Sequence, residues 1–177
     1  MLKKTVLASA VLLSMSTNYV LAGTANLKLH GSVVESTCDI VAEDKSKVVE
    51  LGRYPSTMFK QYSVSPSKNF TITLENCEPG NYGVRFDAPT FEGHPDWIQI
   101  TKALNPRGVI FQDLAIQILN NEDEPIPMAE QNTQANFTIE EMGKDAVIRL
   151  KARFIALKDR VRPFDVTSIV NFAIEYK

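Results

Sequence analysis

Asn69-Phe70-Thr71-Ile72-Thr73-Leu74 alternates apolar and polar side chains and runs toward Cys77. A period of two is the signature of a half-buried β-strand. Glu78-Pro79-Gly80-Asn81 follows and reads as a turn. Tyr82-Gly83-Val84-Arg85-Phe86 resumes the alternation. Pro89, Gly93, Pro95, Pro106 and Gly108 then break the chain into loops around a short strand, Trp97-Ile98-Gln99-Ile100. Residues 115–119 form another strand candidate, closed by a turn over 120–127. Residues 146–157 alternate again, with Val147 and Arg149 on one face and Ile148 and Leu150 on the other. No stretch carries a long helical period with caps. Short strands separated by turns predict an all-β sandwich.

Two more strands lie at the ends of this series. Over 166–176, Ser168, Val170, Phe172, Ile174 and Tyr176 share one face, while Ile169, Ala173 and Glu175 take the other. Near the N-terminus, Leu27, Leu29, Gly31 and Val33 repeat the period of two. Either could be an ordinary strand of a sheet.

The bulk numbers agree with one globular domain. The chain has 177 residues, 44% hydrophobic and 23% charged, with no internal repeat or linker. Its net charge is −2 and no long run of like charge occurs. That excludes a nucleic-acid partner, which needs a concentrated basic face.

The first residues read as a secretory signal. Lys3 and Lys4 precede a short apolar stretch, and Val20-Leu21-Ala22 offers a cleavage box. The apolar core is too short for the roughly 20 residues of a membrane span, and Asn18 interrupts it. The signal is expected over 1–22, with cleavage after Gly23 or Ala25 as alternatives. Export makes a disulfide the preferred reading of Cys38 and Cys77, the two cysteines of the chain. Closing a loop of about 40 residues contributes about 4 kcal/mol by chain entropy. The alternatives are a metal pair or a redox pair. The first would need further ligands, and only His30 and His94 are on offer. The second usually has Cys-x-x-Cys spacing. Neither a metal nor a cofactor is expected.

Taken together, the pattern resembles a chaperone–usher pilin, in particular the small tip-linker subunits of type 1 fimbriae. Four stretches carry the resemblance. Leu27-Lys28-Leu29-His30-Gly31-Ser32-Val33 places Gly31 seven residues ahead of Cys38. The strand from Asn69 ends at Cys77. Leu114-Ala115-Ile116-Gln117-Ile118-Leu119-Asn120 is followed by Pro125-Ile126-Pro127. The block 148–177 contains Ala152-Arg153 and closes on Phe172-Ala173-Ile174-Glu175-Tyr176, with tyrosine next to last.

The resemblance implies an incomplete immunoglobulin-like β-sandwich lacking its last strand. A periplasmic fimbrial chaperone would lend a strand first. An outer-membrane usher would then exchange it for the N-terminal strand of a neighbouring subunit. Residues 23–37 would be the donor extension and 38–177 the pilin domain. Leu27, Leu29, Gly31, Val33 and Glu35 would face a neighbour's groove, with Gly31 where the groove is shallow; its other reading is a bulge in an edge strand. Val170, Phe172, Ile174 and Tyr176 would form one wall of this chain's own groove. Tyr176 would also serve chaperone recognition, beside plain core packing, and the chaperone would anchor the Lys177 carboxylate. Strand addition of this kind covers a polar backbone edge and an apolar patch together. The chain would pass through the periplasm to a surface fimbrium supporting adhesion.

Some positions depart from the resemblance. Phe164, Asp113 and Ala115 stand where glycine is common, and Arg160-Val161-Arg162-Pro163-Phe164 is bulky and basic for its turn. Other functions are less favoured. No nucleophile or phosphate motif supports an enzyme, and Glu122-Asp123-Glu124 reads as a solvated turn. A sugar-binding adhesin would carry a lectin domain ahead of the pilin pattern, which here starts beside the cleavage site. Trp97, Tyr82 and His94 could form a sugar platform, but loop and core roles are preferred. A fibre terminator or anchor is the remaining alternative; a terminator would have a blocked groove.

Overall fold

The computed structural model describes residues 38–101, 112–128 and 135–177. The expected signal over 1–22 and the donor extension over 23–37, with Leu27, Leu29, Gly31, Val33 and Glu35, lie outside the described residues. The described residues form nine strands: β1 (Asp39–Ile40), β2 (Lys68–Glu75), β3 (Gly80–Asp87), β4 (Thr90–Phe91), β5 (His94–Ile98), β6 (Leu114–Leu119), β7 (Asn136–Ile139), β8 (Ala146–Ala156) and β9 (Asn171–Tyr176). Single 3-10 turns occur at Ala42–Asp44 and Ser56–Met58.

The strands form two antiparallel sheets. The larger has the order β1-β2-β8-β6-β5-β4 and the smaller β7-β3-β9. The period of two seen in the sequence decides what each strand buries. Ile72 and Leu74 of β2, Leu150 of β8, Ile118 of β6 and Ile98 of β5 meet Tyr82, Val84 and Phe86 of β3 in the main core. A second cluster of Phe59, Ile100, Leu114, Phe154, Ala156 and Val161 fills one end. The alternation of 146–157 is realised in β8, where Val147 and Arg149 are exposed and Leu150 is buried.

Cys38 and Cys77 form a disulfide that ties the start of β1 to the turn after β2. Asn76 makes that turn in the left-handed region, at φ 55°, which asparagine tolerates better than most residues. The turn over 120–127 is organised by Asn120, whose Oδ1 accepts hydrogen bonds from the Glu122 and Glu124 amides, both at 2.9 Å. The acidic cluster Glu122-Asp123-Glu124 is therefore the exposed crown of this turn.

Several boundaries differ from the sequence reading. The last strand begins at Asn171, not near 166. Residues 166–170 turn to the chain after β5 instead: Thr101 N–H donates to Thr167 O at 3.0 Å and the Ser168 hydroxyl donates to Gln99 O at 2.8 Å. The strand expected over 97–100 begins three residues earlier and ends at Ile98, because the hairpin with β4 pairs Phe91 with His94. Gly80 and Asn81, read as turn, already pair with Ile139 and Thr138 in the ladder. β1, β4 and β7 were not anticipated; the first two have two residues each, too short to show a period.

Candidate functional site: an open groove beside strand β9

A groove of about 1280 Å³ with an apolar floor and mixed lips opens between β9 and residues 45–54. Its floor is the inner face of the sandwich itself. Phe70 and Ile72 of β2, Ile116 and Ile118 of β6, Phe154 of β8 and Phe86 of β3 all line it. One lip is the irregular stretch 45–54; the other is the chain from Val161 to Phe172. β9 pairs with β3 along one edge, and among the described residues no strand lies along its other edge. An apolar core thus meets an unpaired strand edge, the arrangement that accepts an added strand. Val48, 78% exposed, and Ile169, 66% exposed, stand on the two lips.

Buried carboxylates anchor each lip. Asp44 accepts a hydrogen bond from the Thr73 amide at 2.6 Å and pairs with Lys47, whose ammonium also reaches Thr71 O. Burial alone would raise the Asp44 pKa, but Lys47 and Thr73 outweigh it and hold the carboxyl below its ordinary value. This straps the first lip to β2. On the other side Asp113, 1% exposed, takes Arg162 Nε on Oδ2 at 2.7 Å and Arg162 Nη2 on Oδ1 at 2.8 Å. Lys158 adds a bond at 3.0 Å. The Arg162 bonds dominate, burial opposes them, Lys158 assists, and the carboxyl drops to about 2. The basic turn that departs from the pilin pattern is therefore the clamp of this lip.

The sequence-derived wall residues divide along the chain from Val170, just ahead of β9, to Tyr176. Val170 and Phe172 line the groove. Ile174 sits opposite Val84 and packs on the main core. Tyr176 sits opposite Tyr82 at the far end, 52% exposed, with its ring edge-on to Tyr82 at 5.4 Å. A Cβ on Gly80 would come within 2.6 Å of that ring, so Gly80 is the seat in which Tyr176 lies. Lys177 N–H still donates to Asn81 O at 2.8 Å, and Arg85 Nε donates to Glu175 at 2.6 Å. Arg85 first, with Lys177 assisting, holds the Glu175 carboxyl below its usual range. The end of the chain is thus fixed to β3.

Trp97, Tyr82 and His94 do not form one platform. Tyr82 is buried in the small sheet, stacked on Phe137 at 5.7 Å. His94 and Trp97 do stack, and Tyr62 joins them instead. Sequence reasoning missed the first lip and the Asp113 clamp. The alternation of Val49 and Leu51 was the available signal for the lip. No local pattern pairs Asp113 with Arg162, 49 positions away.

Among the described residues these observations define a class: an immunoglobulin-like sandwich left open beside its C-terminal strand, with a groove of apolar floor in place of the closing strand. Comparison with known proteins narrows it. A family model described as fimbrial protein matches residues 27–177. The chain is 31% identical over 174 residues to a type-1 fimbrial protein subunit of Serratia marcescens, covering 96% of each chain. It is 32% identical over 155 residues to the fimbrial-like protein FimF of Salmonella typhimurium, covering 87% of this chain and 85% of that one. Among solved structures, the P pilus rod subunit PapA superposes with a TM-score of 0.65 at 18% identity, over 79% of this chain and 99% of that one, a likeness of fold. The chain belongs to the fimbrial protein family. It is a structural fimbrial subunit, not an enzyme, with a fold like that of solved pilus subunits, and fimbrial subunits join one another into surface pili.

Proposed function

We propose that this subunit polymerises by donor-strand exchange, as a minor or linker subunit supporting bacterial adhesion. The observation that carries the reading is the groove, whose floor is made of core residues and whose side is an unpaired strand edge. Left open, it exposes an apolar patch and a polar backbone edge; an inserted strand removes both. A periplasmic chaperone fills the groove first, and an outer-membrane usher exchanges its strand for residues 23–37 of the next subunit. Residues 1–22 direct export and are removed. In the donor, Leu27, Leu29, Gly31, Val33 and Glu35 face the neighbour's groove. In the acceptor, Val170 and Phe172 receive side chains, while Ile174 and Tyr176 extend the same face toward the chaperone-anchored terminus. The linker role rests on the four stretches that resemble tip-linker subunits. The open groove favours a polymerising subunit over a terminator.

The test uses the chain from residue 23 and a peptide spanning 23–37. A strand bound at a thousandfold excess over its Kd adds about 4 kcal/mol. For a domain of this size the melting temperature should rise on the order of 10 °C. A chain that is stable alone and indifferent to both peptide and chaperone would exclude strand exchange. Replacing Gly31 by a bulky residue should block donation and leave the donor's own fold intact.

A further inference from the structure

The outer face of the large sheet carries a cluster that strand exchange does not use. The His94 ring lies parallel on the Trp97 indole, with centroids 3.5 Å apart and planes 4° apart. Tyr62 approaches Trp97 from a separate segment, at 5.9 Å and 41°. Tyr62 is 61% exposed, His94 is exposed and Trp97 is half-buried. The Tyr62 backbone sits in the left-handed region at φ 64°. That conformation costs a non-glycine residue about 1 kcal/mol or more. It is held by the Tyr62 amide on Ala156 O at 2.7 Å and by the Ser63 hydroxyl on Lys60 O at 2.7 Å. A bulky ring kept in a strained turn and largely shown to solvent gains little burial for its cost.

Planar polar groups lie beside the rings. The register that puts Ile98 opposite Ile116 places Trp97 next to Gln117, and Gln117 sits opposite Arg153. Gln117 Nε2 donates to Asp96 Oδ2 at 2.6 Å, and Arg153 Nε donates to Gln117 Oε1 at 3.0 Å. Gln117 is 3% exposed, so the buried amide holds both charged neighbours in place. The second oxygen of Asp96 and the terminal guanidinium N–H groups of Arg153 have no partner among the described residues.

We propose that Tyr62, His94, Trp97, Asp96 and Arg153 form a contact site for an uncharged pyranoside. A pyranose presents a C–H face that packs on aromatic rings, and hydroxyls that donate to a carboxylate and accept from a guanidinium. Asp96 and Arg153 carry opposite charges close together, which favours a neutral polyol over an acidic sugar. Their mutual fixing through Gln117 lowers the ordering cost of binding. An added peptide strand does not fit here, since β6 and β8 are interior strands with both edges paired.

Trp97 is the single tryptophan of the chain, so its fluorescence reports this site alone. The full chain is titrated with methyl α-mannoside, methyl β-galactoside and methyl N-acetyl-β-glucosaminide. The 23–37 peptide, which contains no tryptophan, is added to keep the groove filled. At least one sugar should give a saturable change with a Kd around 1 mM, the strength of a few such contacts. Tyr62→Gly and Arg153→Gln should each weaken it about tenfold or more. Tyr62→Gly suits the local φ, so its melting temperature should be unchanged or higher. No saturable change with any of the three sugars, or an equal response in Tyr62→Gly, overturns the proposal. So does an indole shielded from iodide only inside assembled fibres and regardless of sugar, which would make this face a contact between subunits. The groove plays no part in the readout, so this result and the strand-exchange result stand or fall separately.

Discussion

Arg162 grips Asp113 with two side-chain hydrogen bonds, 2.7 Å to Oδ2 and 2.8 Å to Oδ1, and adds its own backbone amide at 3.3 Å. The carboxylate is buried and the guanidinium reaches it from a half-exposed position. One end of the groove's lip is therefore tied to the start of β6 by charge instead of packing. Arg162→Ala should be the most costly change in this clamp, because it leaves a buried carboxylate with Lys158 as its remaining side-chain partner. We expect a loss of about 3 kcal/mol. That is a fall in melting temperature on the order of 10 °C for a domain of this size. Adding Asp113→Asn to Arg162→Ala should recover part of it, read as a non-additive double-mutant cycle.

The same pair sets an acid limit. The Asp113 carboxyl is lowered to about 2 from an ordinary value of 3.8. A folded pKa below the unfolded one gives stability that is complete above the unfolded value. It is lost as pH falls through 3.8 toward 2. The lost contribution is about 2 kcal/mol. Chemical denaturation between pH 6 and pH 2 should show this slope in the unaltered chain and a shallower one in Asp113→Asn. Equal slopes would mean that other carboxylates govern acid unfolding.

Gly80 and Tyr176 make a second testable pair. A methyl group on Gly80 would lie 2.6 Å from Tyr176 Cε2, so the ring must leave its seat. Gly80→Ala should cost about 1–2 kcal/mol through this overlap. Tyr176→Ala should remove most of that penalty when the two are combined. Simple addition of the two effects would show that Gly80 matters for its backbone alone.

Reduction of Cys38–Cys77 should loosen the join between β1 and the turn after β2. The bridge spans 39 positions, and chain entropy assigns it about 4 kcal/mol. Replacing both cysteines by serine should lower the unfolding midpoint accordingly while the far-ultraviolet spectrum stays β. A midpoint unchanged within error would rule out a stabilising role.

The legible part of this protein was its strands. Ile72 and Leu74, Val84 and Phe86, and Phe172 and Ile174 announce their inward faces by a period of two, and each pair is found on the core side. Residues 166–170 misled because the same alternation can be satisfied by contacts with Gln99 and Thr101 as well as by a ladder. Two-residue strands such as β1 and β4 carry no period at all.

Sequence alone determined which residues face inward, because the pleat imposes its period on any strand. It also brought out the two cysteines that the fold joins and the order of elements shared with fimbrial subunits. Tertiary structure decided the rest. The groove exists because strands distant in the chain pair as they do, leaving β9 at the edge of a three-stranded sheet above a six-stranded one. The Asp113–Arg162 clamp and the Tyr62–Trp97–His94 stack likewise join residues that no local pattern connects. Side-chain periodicity is a property of neighbours along the chain, whereas an open groove is a property of what the folded sheets leave unpaired.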